Sequence, residues 1–197
     1  MNIIIGLTGP TGAGKSSAKV VCEELGFKYV DCDIIARQAV EKGTNGLNAV
    51  VATFGQEILN PDGTLNRKSL ARLAFSSPEK TELLNRTIFP FIRELVKKET
   101  ANGKVLLDAP TLFESGIDDI CFKTVAILSD KQIRLKRILE RDNLTETDAL
   151  LRMNAGKDDN FYLKKANYIV YNNKTESEFL KDLRSVLNEI LEKGENE

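Results

Sequence analysis

Apolar residues in this chain fall in short unbroken runs rather than in alternation. Ile3, Ile4, Ile5 and Leu7 close on a glycine-rich turn, Val105, Leu106 and Leu107 end at Asp108, and a third run fills 123–128. Runs of β-formers with no polar face read as strands covered on both sides. The pattern predicts strands over 2–8, 27–30 (ending at Asp31), 104–108, 123–128 and 168–170. Between them the period changes to that of a helix. From Lys15, the residues Ala18, Val21, Cys22 and Leu25 share one face, and Gly26 stops the run. Further helices are expected over 34–40, 67–75, 146–155 (capped by Thr145) and 179–191, with another after Ser129-Asp130 built on Ile133, Leu135 and Ile138.

Punctuation residues refine this outline. Lys42-Gly43 ends the helix over 34–40, and Asn60-Pro61-Asp62-Gly63 is a turn, after which Leu65 opens a short extended piece. Ser77 reads as an N-cap with Pro78 at the first helical position, opening a helix that runs to about Lys98. Pro90 inside it predicts a kink or break near Ile88, and Asn102-Gly103 closes it. Residues 193–197 are expected to fray. Apolar strands separated by helices indicate an α/β fold with a parallel sheet. The stretch 40–102 is mainly helical and long for a single crossover, and reads either as an insertion on the substrate side or as extra packing.

Composition acts here mostly by exclusion. The 197 residues contain no histidine, so histidine acid–base chemistry, His–metal sites and Ser-His-Asp catalysis are absent; proton handling falls to carboxylates, lysines or water. Cys22, Cys32 and Cys121 form no CxxC pair, and an odd cysteine count suits reduced thiols. A net charge of −1, from 28 basic and 29 acidic residues, argues against nucleic acid as a partner. Neither a signal-peptide pattern nor an apolar stretch of membrane-spanning length occurs, so a cytoplasmic protein with no membrane partner is expected.

Specific chemistry enters at residues 9–16. Gly9, Pro10, Thr11, Gly12, Ala13, Gly14, Lys15 and Ser16 complete the pattern GxxxxGK[ST], after a strand and at a helix start. Such a loop turns backbone N–H groups and a helix N-terminus toward phosphate oxygens. Lys15 is expected at the β- and γ-phosphates of a nucleotide that the loop alone does not specify, the Ser16 hydroxyl at Mg²⁺, and Ser17 at the α-phosphate. Asp31 and Asp33 end the second strand, where open α/β sheets bind ligands; each reads either as an acceptor-side carboxylate or, for Asp33, as an N-cap. Asp108 ends a buried strand as a Mg²⁺-binding carboxylate does, or serves as a turn residue before Pro110. Arg134, Arg137 and Arg141 are spaced to share one helix face, as phosphoryl-transfer donors or as a solvated charged face.

These residues together resemble the dephospho-CoA kinase family. The likeness runs through residues 6–16, Asp31-Cys32-Asp33-Ile34-Ile35-Ala36-Arg37, Asp62-Gly63-Thr64-Leu65-Asn66-Arg67, and Asp108-Ala109-Pro110-Thr111-Leu112-Phe113-Glu114. It continues through Gln132, Arg134, Leu135, Arg137 and the segment 166–172, nearly the whole chain. The resemblance implies a P-loop fold with a five-stranded parallel sheet flanked by helices. Around it would stand a core (about 1–40, 103–134 and 166–197), a helical substrate region (about 41–102) and a lid (about 135–165). It implies transfer of the ATP γ-phosphoryl group to the ribose 3′-hydroxyl of dephospho-CoA. Asp33 would be the base or the group that orients the acceptor hydroxyl, Asp31 a supporting carboxylate, directly or through magnesium, and Arg37 and Glu114 acceptor-side groups. Arg137 and Arg141 fall on lid positions, and Asn172 where adenine is met. A monomer is expected. Three positions depart from the family pattern: Phe89 replaces a histidine, Gly156 a glutamine and Asn167 an aspartate. They bear on acceptor affinity more than on phosphoryl transfer.

Three rival readings follow from the same residues. A kinase for another small acceptor would share the loop and lid but not the DxDxIAR and PxLFE segments. A GTP switch would read guanine through Asn173-Lys174-Thr175-Glu176, which ends in Glu where Asp is required. A nucleotide-binding protein without catalysis would have no need of Lys15, Ser16 and Asp33 together.

Overall fold

Ile3–Thr8 is buried at every position, as a strand covered on both faces must be. In a computed structural model, which describes residues 2–195, this strand (β1) is the middle member of a five-stranded sheet. The order is β2 (Lys28–Asp31), β3 (Lys104–Asp108), β1, β4 (Lys123–Leu128) and β5 (Tyr168–Tyr171). β1 runs parallel to β3, with Leu7 opposite Asp108, and parallel to β4, with Thr8 opposite Ala126. β5 extends the sheet parallel to β4. The chain therefore leaves β1 at Gly9 and β3 at Asp108 on one edge of the sheet, where α/β folds bind ligands.

Helices α1 (Ala18–Glu24), α2 (Cys32–Gln38), α3 (Asn45–Phe54), α4 (Arg67–Ala74) and α5 (Pro78–Glu99) precede β3. Then come α6 (Lys131–Asp142), α7 (Glu146–Asn154), α8 (Asp159–Lys165) and α9 (Glu176–Glu195). The chain forms two compact units. One holds the residues up to Val30 and those from Thr100 on; the other is Asp31–Glu99. In the first, Ile5, Leu7, Val21, Leu106, Ile127, Phe179 and Leu183 build the main core between the sheet, α1 and α9. In the second, Val40, Val50, Ile58, Leu70 and Ala74 form a separate core. None of the described helices is long and apolar enough to cross a membrane.

Several expectations shift. α2 begins at Cys32 rather than Ile34, because Asp31 is its N-cap: Asp31 Oδ1 accepts the Asp33 and Ile34 amides at 2.8 and 3.4 Å. Asp33 is thus not the cap but a first-turn residue. Of the kink or break expected near Ile88, the break does not occur: α5 is helical without interruption past Pro90. Beyond the proline, Ile92 and Val96 are buried, and packing against α2, α3 and α4 holds the helix across the missing hydrogen bond. The expected fraying from Lys193 is also absent as far as Glu195. Lys193 donates to Glu189 at 2.7 Å and to the Tyr168 hydroxyl at 2.9 Å. Asn196 and Glu197 lie outside the described residues.

Candidate active site

The loop after β1 is shaped by glycine. Gly9 has φ 143°, and a Cβ there would lie 2.2 Å from the backbone oxygen of Ile127, so only glycine lets β1 pass β4 at this point. Gly14 has φ 88° and starts the helical turn Lys15–Ser17 that leads into α1. A Cβ on Gly14 would meet Asn172 Nδ2 at 2.4 Å. That side chain instead donates to the Ala13 carbonyl at 2.9 Å. Lys15 lies back across the loop, its Nζ donating to the Gly9 carbonyl at 3.0 Å.

Helix α6 closes over this loop through two arginines. Arg134 is only 4% exposed; it donates to the Thr11 carbonyl at 3.1 Å and pairs with Asp159 of α8 at 3.1 Å. Arg137 donates to the carbonyls of Gly12, Ala13 and Asn172, to Asn172 Oδ1, and to the Ser129 hydroxyl, at 3.1 to 3.5 Å. Every one of these acceptors is neutral. Among the described residues Arg137 makes no ion pair, so its charge is left to act on an anion at the loop. Arg141 is placed differently: it forms a two-pronged pair with Asp142 at 2.7 and 2.8 Å, and Arg152 of α7 holds the same carboxylate at 2.8 Å. That pairing keeps Asp142 below the usual carboxylate range. Arg141 still lines, with Gly12, Gly14, Ser16, Ser17, Arg137 and Asn172, a cavity of about 510 Å³ beside the loop. A strand, a glycine-shaped turn, a lysine, an unneutralised guanidinium and a cavity of nucleotide size fit ATP.

Ser17, expected at the α-phosphate, donates to Glu176 of α9 at 3.0 Å. Asn172, expected at adenine, has both ends of its amide engaged with Ala13 and Arg137. Asp108 accepts the Tyr29 hydroxyl at 2.6 Å. Ser16 and Asp108 offer hard oxygen ligands, and no group of three His, Cys, Asp or Glu residues suited to a metal exists among the described residues. That donor set suits Mg²⁺, which takes one or two protein oxygens plus phosphates rather than a protein cage.

Glu114 follows β3 in the same unit. Loss of water around its carboxyl raises its pKa, while Lys157 and Lys165 pull it down. Phe113 meets Phe161 edge-on at 5.9 Å, with Lys165 over both rings. In the second unit, Asp33 and Arg37 stand exposed one turn apart on α2, below the Asp31 cap. The structure thus gathers Gly12, Gly14, Ser16, Ser17, Arg137, Arg141 and Asn172 around one cavity, and places Asp33 and Arg37 on one short helix capped by Asp31.

Sequence reasoning missed Tyr29, Asp159 and Glu176, whose partners are far away in the chain, and Ser129, whose partner Arg137 lies on the next helix. For Arg134 the helical spacing was a signal, since it put the residue on the face of Arg137. The Asn167 departure has a structural role: its Oδ1 accepts from the Thr124 amide and hydroxyl at 2.8 and 3.1 Å, tying β5 to β4 at their start. Gly156 rims a cavity of about 310 Å³ between α6, α7 and α8, and Phe89 is half-buried on α5.

Comparison with known proteins bears on the family and the fold. The family model described as dephospho-CoA kinase matches residues 3–178. A dephospho-CoA kinase from Listeria monocytogenes is 38% identical over 181 residues, covering 89% of this chain and 90% of that protein. Among solved structures, dephospho-CoA kinase from Campylobacter jejuni superposes with a TM-score of 0.69 at 27% identity, covering 96% of this chain and 98% of that one. A shikimate kinase from Acinetobacter baumannii, at TM-score 0.59 and 17% identity over 98% and 95% of the two chains, shares the fold. The chain belongs to the dephospho-CoA kinase family.

Proposed function

We propose that the chain carries out its family's reaction, transfer of the ATP γ-phosphoryl group to the ribose 3′-hydroxyl of dephospho-CoA, through the residues named above. Phosphoryl transfer asks the protein mainly for position and for positive charge where negative charge accumulates. The amides of residues 9–17 and Lys15 hold the β- and γ-phosphates. Arg137 supplies charge at the transferring group, and Arg141 joins it by leaving Asp142. Asp33 accepts the proton of the acceptor hydroxyl as its oxygen bonds to the γ-phosphorus and the bond to ADP breaks. Asp31 supports Asp33 from the cap position; Arg37 and Glu114 contact the acceptor, and Asn172 lies against adenine. Ser16 and Asp108 would hold Mg²⁺, which would supply positive charge against the phosphates.

In this reading the segment 41–102 is the acceptor-side region and 135–165 the lid, and the protein works as a cytoplasmic monomer. The observation that carries it is Arg137: five neutral acceptors around a guanidinium that no carboxylate among the described residues neutralises, directly on a phosphate-binding loop. The test is ADP release from Mg-ATP with dephospho-CoA, AMP, adenosine or shikimate as acceptor. Selective stimulation by dephospho-CoA is expected; equal stimulation by another acceptor would overturn the assignment.

A further inference from the structure

The Tyr29 hydroxyl and Asp108 Oδ2 lie 2.6 Å apart, although 79 positions separate them in the chain. Tyr29 is on β2, the neighbour of β3 in the sheet, and Asp108 is the last residue of β3. Beside Asp108, Leu7 is its register partner on β1, and Gly9 follows two residues on. The Tyr29 ring is half-buried and packs on the main core. A phenylalanine would serve that packing equally. The one atom that tyrosine adds is the hydroxyl, and it is bonded to the carboxylate. A phenol donating to a carboxylate at this distance makes a short, strong bond with a defined direction.

We propose that Tyr29 is a positioning residue for Asp108: its hydroxyl fixes the rotation of the carboxylate, so that one oxygen is held by the protein and the group stays oriented for Mg-nucleotide. This rests on the reading of Asp108 as a Mg²⁺ ligand. A carboxylate that must be ordered on each binding event loses affinity for the metal complex, and the Tyr29 bond orders this one beforehand. Tyr29 touches neither phosphate nor acceptor in this account. Its effect is confined to what passes through Asp108.

The test uses the full chain with Tyr29→Phe, Asp108→Asn and the double variant, each checked for an unchanged melting temperature. ADP affinity is measured by calorimetry with Mg²⁺ and in EDTA, and turnover is followed against Mg²⁺ concentration. Loss of one charge-assisted hydrogen bond is expected to weaken the Mg²⁺-dependent part of ADP affinity by roughly five- to tenfold. ADP affinity in EDTA is expected to be unchanged. The Mg²⁺ needed for half-maximal turnover should rise, and Tyr29→Phe should add nothing in the Asp108→Asn background. A Tyr29→Phe variant with normal Mg²⁺ dependence beside an impaired Asp108→Asn would overturn the proposal while leaving Asp108 a ligand. Equal losses with and without Mg²⁺, or additive effects, would also overturn it. Normal Mg²⁺ dependence in Asp108→Asn would remove the Asp108 reading and the Tyr29 proposal together. The calorimetry needs no acceptor, so these outcomes are independent of whether dephospho-CoA is turned over.

Discussion

In the proposed reaction Arg137 and Asp33 carry different parts, and their surroundings differ accordingly. Arg137 is held by a set of carbonyls that also define the phosphate-binding loop, so its loss should remove transition-state charge and loosen the loop at once. We predict that Arg137→Ala lowers kcat by about 10³-fold, on the scale of other phosphoryl-transfer arginines. Steady-state kinetics check this, and a change confined to KM would contradict it. Asp33 is exposed on the first turn of α2, and capping is already done by Asp31, so its carboxylate is not needed to start the helix. Asp33→Asn is therefore expected to fold and bind ATP normally while losing about 10²- to 10⁴-fold in turnover, the range of a general base. Near-normal turnover would take Asp33 out of the mechanism. The cysteines lie at the other extreme. Burial pushes the Cys22 thiol up to about 11 and the Cys121 thiol up to about 12, leaving almost no thiolate at neutral pH. Native protein should resist alkylation at both, as mass spectrometry after iodoacetamide treatment would show.

At the scale of elements, α6 and α7 are joined by Arg141, Asp142 and Arg152, over a small apolar cluster of Ile138, Ala149 and Met153. The Arg141 hydrogen bonds lower the Asp142 pKa from its ordinary value of 3.8. A depressed carboxylate pKa gives stability that is fully present above 3.8 and disappears as pH falls through the lower native value. Amide exchange in α6 and α7 should accelerate below that range in the wild type. In Asp142→Asn it should already be faster at neutral pH, with no further acid step from this group. An unchanged acid profile in Asp142→Asn would exclude the clamp.

The same scale explains what could be read from the chain. β1, β3 and β4 are buried on both faces, so their apolar runs mark them, and the glycines and Lys15 mark the loop. Pro90 misleads because the local rule is outweighed by packing of Ile92 and Val96. α8 was missed because its seven residues show no clear periodicity; Asp158 caps it, and Arg134 of α6 and Phe113 hold it from elsewhere in the chain. The Tyr29–Asp108 bond is illegible for the same reason, since nothing local to either residue indicates the other.

For the whole molecule, the two compact units divide the labour proposed for the residues: the loop, Arg137 and Glu114 belong to one, and Asp31, Asp33 and Arg37 to the other. In the proposed reaction a lid closing over the loop excludes water, which would otherwise compete with the acceptor. ATP hydrolysis by the protein alone should therefore be a small fraction of the rate with acceptor. The central claim is tested most directly by incubating the protein with Mg-ATP and dephospho-CoA and identifying both products by mass spectrometry and phosphorus NMR. The account predicts ADP and, in equal amount, CoA carrying the new phosphate on the ribose 3′-oxygen. ADP without CoA, or phosphate on any other oxygen, would contradict it.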